Sequence, residues 1–495
     1  MRHGYLAAAI AITGVAQAAP VVTIDTGTLR GTETATANVF KGIPFAVPPV
    51  GPLRWTSPMR PVAWSGERDA SAFGPRCIQA VGMTRGTTPQ SEDCLTVNVW
   101  VPKLESGGRP VMVWIYGGSY LTGEGSDPVF DGSAFARDGI VLVTFNYRLG
   151  GLGFFAHPAL TAESNGAPLG NYGLEDQIAA LEWVQRNIGR FGGDPANVTI
   201  FGESAGGSAV LLLTALERAK GLFARAIIQS GGAGMMMENL AQREARGVAI
   251  AGHGVLDSAT ATPDQLRALP VSVVAQAGAG LGPIIDGRLV PDPAAKVYDR
   301  RAQLPVPIMI GATSGEDSLL NFVPYRSVLD WYDPNQLAEL RALYGNEPDE
   351  EKFAHRIFAD ARMLGPARFL AERAVPGVPV YLYQFDHGPS PHGGEIAYVF
   401  KTLDKRPNAR AATAEDWSVA HYVHRCWTSF AVNGVPVCPG APAWRPFTTA
   451  DDAIMLLASV PRIANGYRKP LLDWHGAYLT DRLAHFVPGP TVPTK

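Results

Sequence analysis

The chain has 495 residues, 46% of them hydrophobic and 18% charged, and a formal net charge of −3. These figures describe a globular protein with a large buried core and exclude a disordered chain. No block of like charge occurs, so neither nucleic acid nor an anionic membrane surface is an expected partner.

The N-terminus departs from the rest. Arg2 and His3 precede the apolar run Leu6 to Val15, and Ala16-Gln17-Ala18 follows. That order predicts a signal peptide over residues 1–18, cleaved after Ala18, and a secreted or periplasmic protein. The run is too short to span a bilayer, and no cysteine follows the cleavage site, so no membrane anchor is expected. Export gives meaning to the cysteines. Cys77 and Cys94 enclose a polar, Gly/Thr-rich loop and predict a disulfide. Cys426 and Cys438 read either as a second bridge or as two buried thiols. Neither pair has metal-site spacing, and no metal is expected.

From residue 19 to 495 the chain reads as one domain, with no repeat and no low-complexity linker. "PVMVWIYGG" (110–118) and "GIVLVTFNYRLG" (139–150) are buried strands. "GLEDQIAALEWVQRNIGRF" (173–191) spaces Ile178, Leu181, Val184 and Ile188 as a helix does. Further strands are "NVTIFG" (197–202), "FARAIIQSGG" (223–232), "PVPIMIGATSGED" (305–317) and "PVYLYQFDH" (379–387). Apolar runs alternating with helices predict an α/β fold whose mostly parallel sheet is covered on both faces. Chemistry in such sheets gathers at the carboxyl ends of the strands.

At one such end stands Gly202-Glu203-Ser204-Ala205-Gly206. A bare G-x-S-x-G match is weak in a chain with 54 glycines. Here a strand precedes it and "GGSAVLLLTAL" continues as a helix, the context of a strained turn that presents Ser204 as a nucleophile. A serine needs a base. In the chain order nucleophile, acid, histidine, the best base is His392 in the Gly/Pro-rich loop "SPHGGEIAYVF". His387 reads as a strand-end surface histidine, and His355, His421 and His424 as packing or surface residues. The acid is Glu316 or Asp317, both just after a strand, and pattern does not choose between them. Glycines after the strand at 110–115, with the Ala205 amide, would supply oxyanion donors.

Several long motifs now resemble the type-B carboxylesterases, the family that includes cholinesterases. "FGGDPANVTIFGESAGG" (191–207) is similar to the family's serine signature and "EDCLTVNVWVP" (92–102) to its second signature. "FKGIPFAVPPVGPLRW" (40–55), "NYRLGGLGFF" (146–155), "GNYGLEDQ" (170–177) and "HGGEIAYVF" (392–400) add to the likeness. The resemblance implies an α/β-hydrolase fold with helix and loop insertions around a gorge. It implies a triad of Ser204, Glu316 and His392, oxyanion donors at Gly118, Ser119 and Ala205, and no cofactor. It also implies a first-loop disulfide Cys77–Cys94, a structural ion pair Arg54–Glu92, and Glu203 as a buried carboxylate beside the nucleophile.

Three departures stand out. Ser119 replaces the third glycine of the family's triplet, Asp317 stands where glycine usually follows the acid, and the Cys77–Cys94 loop lacks tryptophan, which argues against choline esters. The reading is therefore a carboxylic-ester hydrolase acting through an acyl-enzyme on a small-molecule ester, expected as a monomer. One alternative is a specialised hydrolase for a lactone, carbamate, polyester or toxin ester. The other is a non-catalytic binding protein, although such relatives characteristically lose a triad member. "MTRGTTPQ" (83–90), "GAGMMMENL" (232–240) and "NFVPYRSVLDWY" (321–332) are candidates for the site entrance, with Met235 to Met237 equally readable as core filler.

Overall fold

In the computed structural model, the described residues are 19–486 except 81–85, 104–106, 233–236, 255, 256, 279, 323 and 407–410. The expected leader, and parts of the three entrance segments, lie outside the described residues.

Continuous apolar runs build an eleven-stranded sheet. In chain order its strands are β1 (Thr32–Glu33), β2 (Ala37–Pro44), β3 (Thr96–Pro102), β4 (Arg109–Ile115), β5 (Val141–Phe145), β6 (Gly193–Glu203), β7 (Arg225–Gln229), β8 (Ile308–Thr313), β9 (Val380–Phe385), β10 (Ala453–Leu457) and β11 (Arg462–Asn465). Their spatial order is β11-β10-β9-β8-β7-β6-β4-β5-β3-β2-β1. Strands β5 through β10 and β4 pair in parallel, and both margins of the sheet are antiparallel. The sequence reading missed the β1–β3 margin. The expected strand over 139–150 also stops at Phe145, because Arg148 leaves the ladder. Its backbone N–H donates to Asp176 at 3.0 Å, and its guanidinium pairs with the same carboxylate.

Asp176 lies on helix α1 (Tyr172–Asn187). Helix α2 (Ala205–Thr214), buried at every position, follows β6 directly. Both bridges exist, Cys77–Cys94 and Cys426–Cys438, with Cα atoms 5.0 and 4.6 Å apart. Arg54 holds Glu92 through two hydrogen bonds of 2.7 and 2.8 Å and also donates to the carbonyls of Arg267 and Leu269. Residues far apart in sequence are thus tied at one point.

Between β4 and β6 the direction of strand progression reverses, the place where open α/β sheets leave a crevice. The two backbones crowd there. A Cβ on Gly206 would lie 2.0 Å from the Ile115 carbonyl oxygen, and one on Gly202 would lie 2.6 Å from it. Backbone cannot yield as a side-chain tip does. Gly206→Ala is therefore expected to cost about 3 kcal/mol or more, the upper end for overpacking a core. Denaturant unfolding checks this, and wild-type stability in the variant contradicts it.

Candidate active site

Ser204 closes β6 and caps α2 with φ 58° and ψ −122°, a conformation that L-residues rarely adopt. Holding it there stores about 1–3 kcal/mol of strain. Its N–H donates to the Gln229 carbonyl at 2.9 Å and its carbonyl accepts from Ser208 N–H at 2.8 Å. The turn is thereby pinned from β7 and from α2. Ser204 is only half-buried, whereas its neighbours Glu203 and Ala205 are buried.

The turn after β4 lies against it. A Cβ on Gly117 would be 3.0 Å from Ser204 Cβ. Gly118, Ser119 and Tyr120 all have positive φ, at 102°, 58° and 60°. This left-handed run curls the chain so that Leu121 and Thr122 N–H donate back to the Gly118 carbonyl at 2.9 and 3.1 Å. Among the described residues, the amides of Gly118, Ser119 and Ala205 take part in no turn or cap hydrogen bond. Ser119 itself is exposed.

His392 follows β9. Its Nδ1 is 2.5 Å from Glu316 Oε2 and its backbone N–H donates to Ser318 Oγ at 2.9 Å. Glu316, only 1% exposed, also accepts from Ser230 Oγ–H at 2.5 Å and Thr313 N–H at 2.7 Å. Burial alone would raise its pKa. The hydrogen bond to His392, the charge on that imidazole, and the Ser230 and Thr313 donors outweigh burial and hold the carboxyl below its ordinary value. Asp317 turns away, and its carboxylate lies 3.0 Å from His355 Nδ1. The adjacent acids thus serve different histidines.

His387 is not the surface residue expected. It is 7% exposed, with Nε2 2.9 Å from Asp416 and Nδ1 2.9 Å from Ser459 Oγ. Asp416 reaches it from helix α5 (Ala414–Asn433), a partner that no local pattern around residue 387 reveals.

The second face of the imidazole holds a further carboxylate. His392 Nε2 stands 3.1 Å from Glu203 Oε1 and makes no hydrogen bond. Glu395 lies nearby in charge terms, its Oε1 accepting from Gln229 Nε2 at 3.0 Å while its Oε2 finds no donor. Burial pushes Glu203 up to about 8 and Glu395 up to about 7. For His392, burial lowers the pKa, but Glu203 and then Glu316 reverse that and carry it up to about 10. Glu203 and His392 therefore compete for one proton. Sequence reasoning gave no role to Glu395 or Ser230. A carboxylate three residues after the histidine was the available signal for Glu395.

The description of the carboxylesterase family matches residues 18–330 and 333–474. The chain belongs to the carboxylesterase family. It is 37% identical over 446 residues to the fumonisin B1 esterase of Sphingopyxis macrogoltabida, covering 83% of this chain and 82% of that protein. It is 36% identical over 452 residues to the para-nitrobenzyl esterase of Bacillus subtilis, covering 84% and 90%. A solved carboxylesterase of Geobacillus stearothermophilus superposes with a TM-score of 0.80 at 32% identity, over 91% of this chain and 99% of that one. Fold and enzyme class are those of a carboxylesterase, an α/β-hydrolase.

Glu203→Gln removes the charge that keeps a proton on His392. The acid limb of the kcat/KM profile is expected to move to lower pH in that variant. An unmoved limb, or one displaced upward, contradicts the competition between Glu203 and His392.

Proposed function

We propose that this carboxylesterase works through Ser204, His392 and Glu316 by way of an acyl-enzyme. The observation that carries the reading is the pairing of Glu316 with His392 Nδ1 at 2.5 Å, which leaves Nε2 without a hydrogen bond beside the turn that holds Ser204. In this mechanism Nε2 removes the proton from Ser204 Oγ as Oγ bonds to the ester carbonyl carbon. The carbonyl oxygen becomes an oxyanion and takes hydrogen bonds from the amides of Gly118, Ser119 and Ala205. Collapse breaks the bond to the alcohol oxygen, which receives the proton from His392. Water then repeats both steps and releases the acid. Glu316, held in its ionised form by three donors, stabilises the imidazolium each time.

Glu203 sets how much of the imidazole is basic. When the shared proton sits on Glu203, His392 is neutral and competent; when it sits on His392, the base is occupied. The absence of tryptophan from residues 77–94 speaks against choline esters. Relatives in the family include a hydrolase named for phenmedipham and an esterase named for fumonisin B1. Substrate choice is therefore best read from an ester panel that varies acyl length and alcohol size independently. We also infer export from the cytoplasm: two disulfides need an oxidising compartment, and no described helix is long and apolar enough to cross a membrane.

Ser204→Ala is expected to lower kcat by roughly 10⁴-fold or more on a chromogenic ester. Turnover near the wild-type value overturns the assignment. Glu316→Gln and Asp317→Asn separate the two acids. The first is expected to cost roughly 10²–10⁴-fold in kcat, and the second less than about tenfold. The reverse order would make Asp317 the acid.

A further inference from the structure

Behind the turn that follows β7 lies a cavity of about 210 Å³ that contains neither Ser204 nor His392. Gly232, Trp331, Tyr332, Arg362, His475 and Arg482 are among its lining residues. Its walls come from helix α6 (Lys469–Ala484), the segment around Trp331, and a π-helical turn, Asp360–Leu364, that leads into helix α4 (Gly365–Glu372). Such wide turns interrupt a helix at a cost in backbone geometry and occur often at functional sites. The turn depends on Gly232, where a Cβ would lie 2.1 Å from the Arg362 carbonyl oxygen.

Three polar groups in this cavity lack partners. Arg362 lies 5.6 Å from the Trp331 ring centroid, and among the described residues no carboxylate pairs with it. Tyr332 is 7% exposed and its hydroxyl makes no hydrogen bond. His475 is 3% exposed and its Nδ1 is likewise unpartnered. A half-buried cation without a counter-ion, beside two buried polar atoms that make no hydrogen bond, is an arrangement that proteins avoid unless something fills the gap.

The surrounding hydrogen bonds assign each group a role. Tyr344 donates its hydroxyl proton to Asp360, so its oxygen accepts from His475 Nε2–H at 3.0 Å. Nδ1 of that neutral imidazole is then an acceptor. Asp360 is itself committed to Arg468 at 2.5 Å and cannot serve Arg362. Arg482 stands exposed on the cavity wall and donates to Tyr478 Oη at 3.1 Å. The residues that line the cavity therefore bring two guanidinium groups, one unpartnered hydroxyl and one unpartnered acceptor to a volume of about 210 Å³.

We propose that this cavity binds a small hydroxycarboxylate. Its carboxylate is held by Arg362 and the Tyr332 hydroxyl, and its own hydroxyl donates to His475 Nδ1. The site lies close to the nucleophile helix, since Gly231, next to Gly232, packs against Gly207 in the first turn of α2. The proposal concerns binding alone and does not rest on the catalytic assignment.

Isothermal titration of the full protein tests it, with malate, succinate and 1,4-butanediol as probes. Malate is expected to bind one per chain, more tightly than succinate, while butanediol gives no saturable heat. Arg362→Gln should weaken malate at least tenfold, and Arg362→Lys by less. Tyr332→Phe, which removes only a hydroxyl, should also weaken it. Circular-dichroism melts confirm that each variant is folded. Absence of saturable malate binding into the millimolar range overturns the proposal. So does equal binding of malate by the wild type and by folded Arg362→Gln or Tyr332→Phe. Equal affinity for malate and succinate removes the role given to His475.

Discussion

Everything at the candidate site depends on how closely two backbones approach at the Ile115 carbonyl. Gly202 and Gly206 lie so near this oxygen that no side chain fits at either position. That contact seats α2 on the end of β4, forces Ser204 into positive φ, and sets the Gly117–Ser119 turn against it. Strain at Ser204 and along the turn is offset by the packed core beneath, where Trp114 meets Phe201 and Phe400 with ring centroids 4.8 and 5.0 Å apart. The local cost is about 1–3 kcal/mol per strained residue, small beside the burial of such aromatics.

A second constraint is electrostatic. One imidazole lies between two buried glutamates, with a third near enough to feel its charge, and the three cannot all be charged in a low-dielectric interior. The structure resolves this by distributing donors unequally. Glu316 receives hydrogen bonds from His392, Ser230 and Thr313. Oε1 of Glu203 and Oε2 of Glu395 receive none. The carboxyl held ionised is thereby separated from the two that burial pushes toward protonation, and His392 lies between Glu316 and Glu203, one of each kind.

Local geometry is what the sequence conveys well. A strand that meets glycine, serine and glycine announces the Ser204 turn, and strands at 110–115 and 379–385 locate the Gly117–Ser119 turn and the loop that carries His392. Partnership across the fold is conveyed poorly. Glu316 and Asp317 are equivalent by pattern, and what separates them is His355, on helix α3 (Glu350–Ala359), which occupies Asp317. Asp416 likewise buries a histidine that reads as a surface residue. Ser230 and Arg362 owe their roles to groups brought from other elements, which no spacing rule encodes. Motif resemblance pointed in advance to the contacts Glu316–His392 and Arg54–Glu92 and to a buried Glu203, because it carries that long-range information implicitly.

Glu316 is anchored from behind the sheet by Ser230 at the end of β7 and by the Thr313 amide of β8. Neither donor belongs to the segments expected to form the entrance. The Glu316 carboxyl is therefore oriented independently of the segments expected at the entrance. Such a layout separates the parts that must stay constant from those free to vary. Entrance loops can be exchanged to accept new acyl or alcohol groups while the charge behind His392 remains in place, which makes this framework suited to diversification by loop replacement.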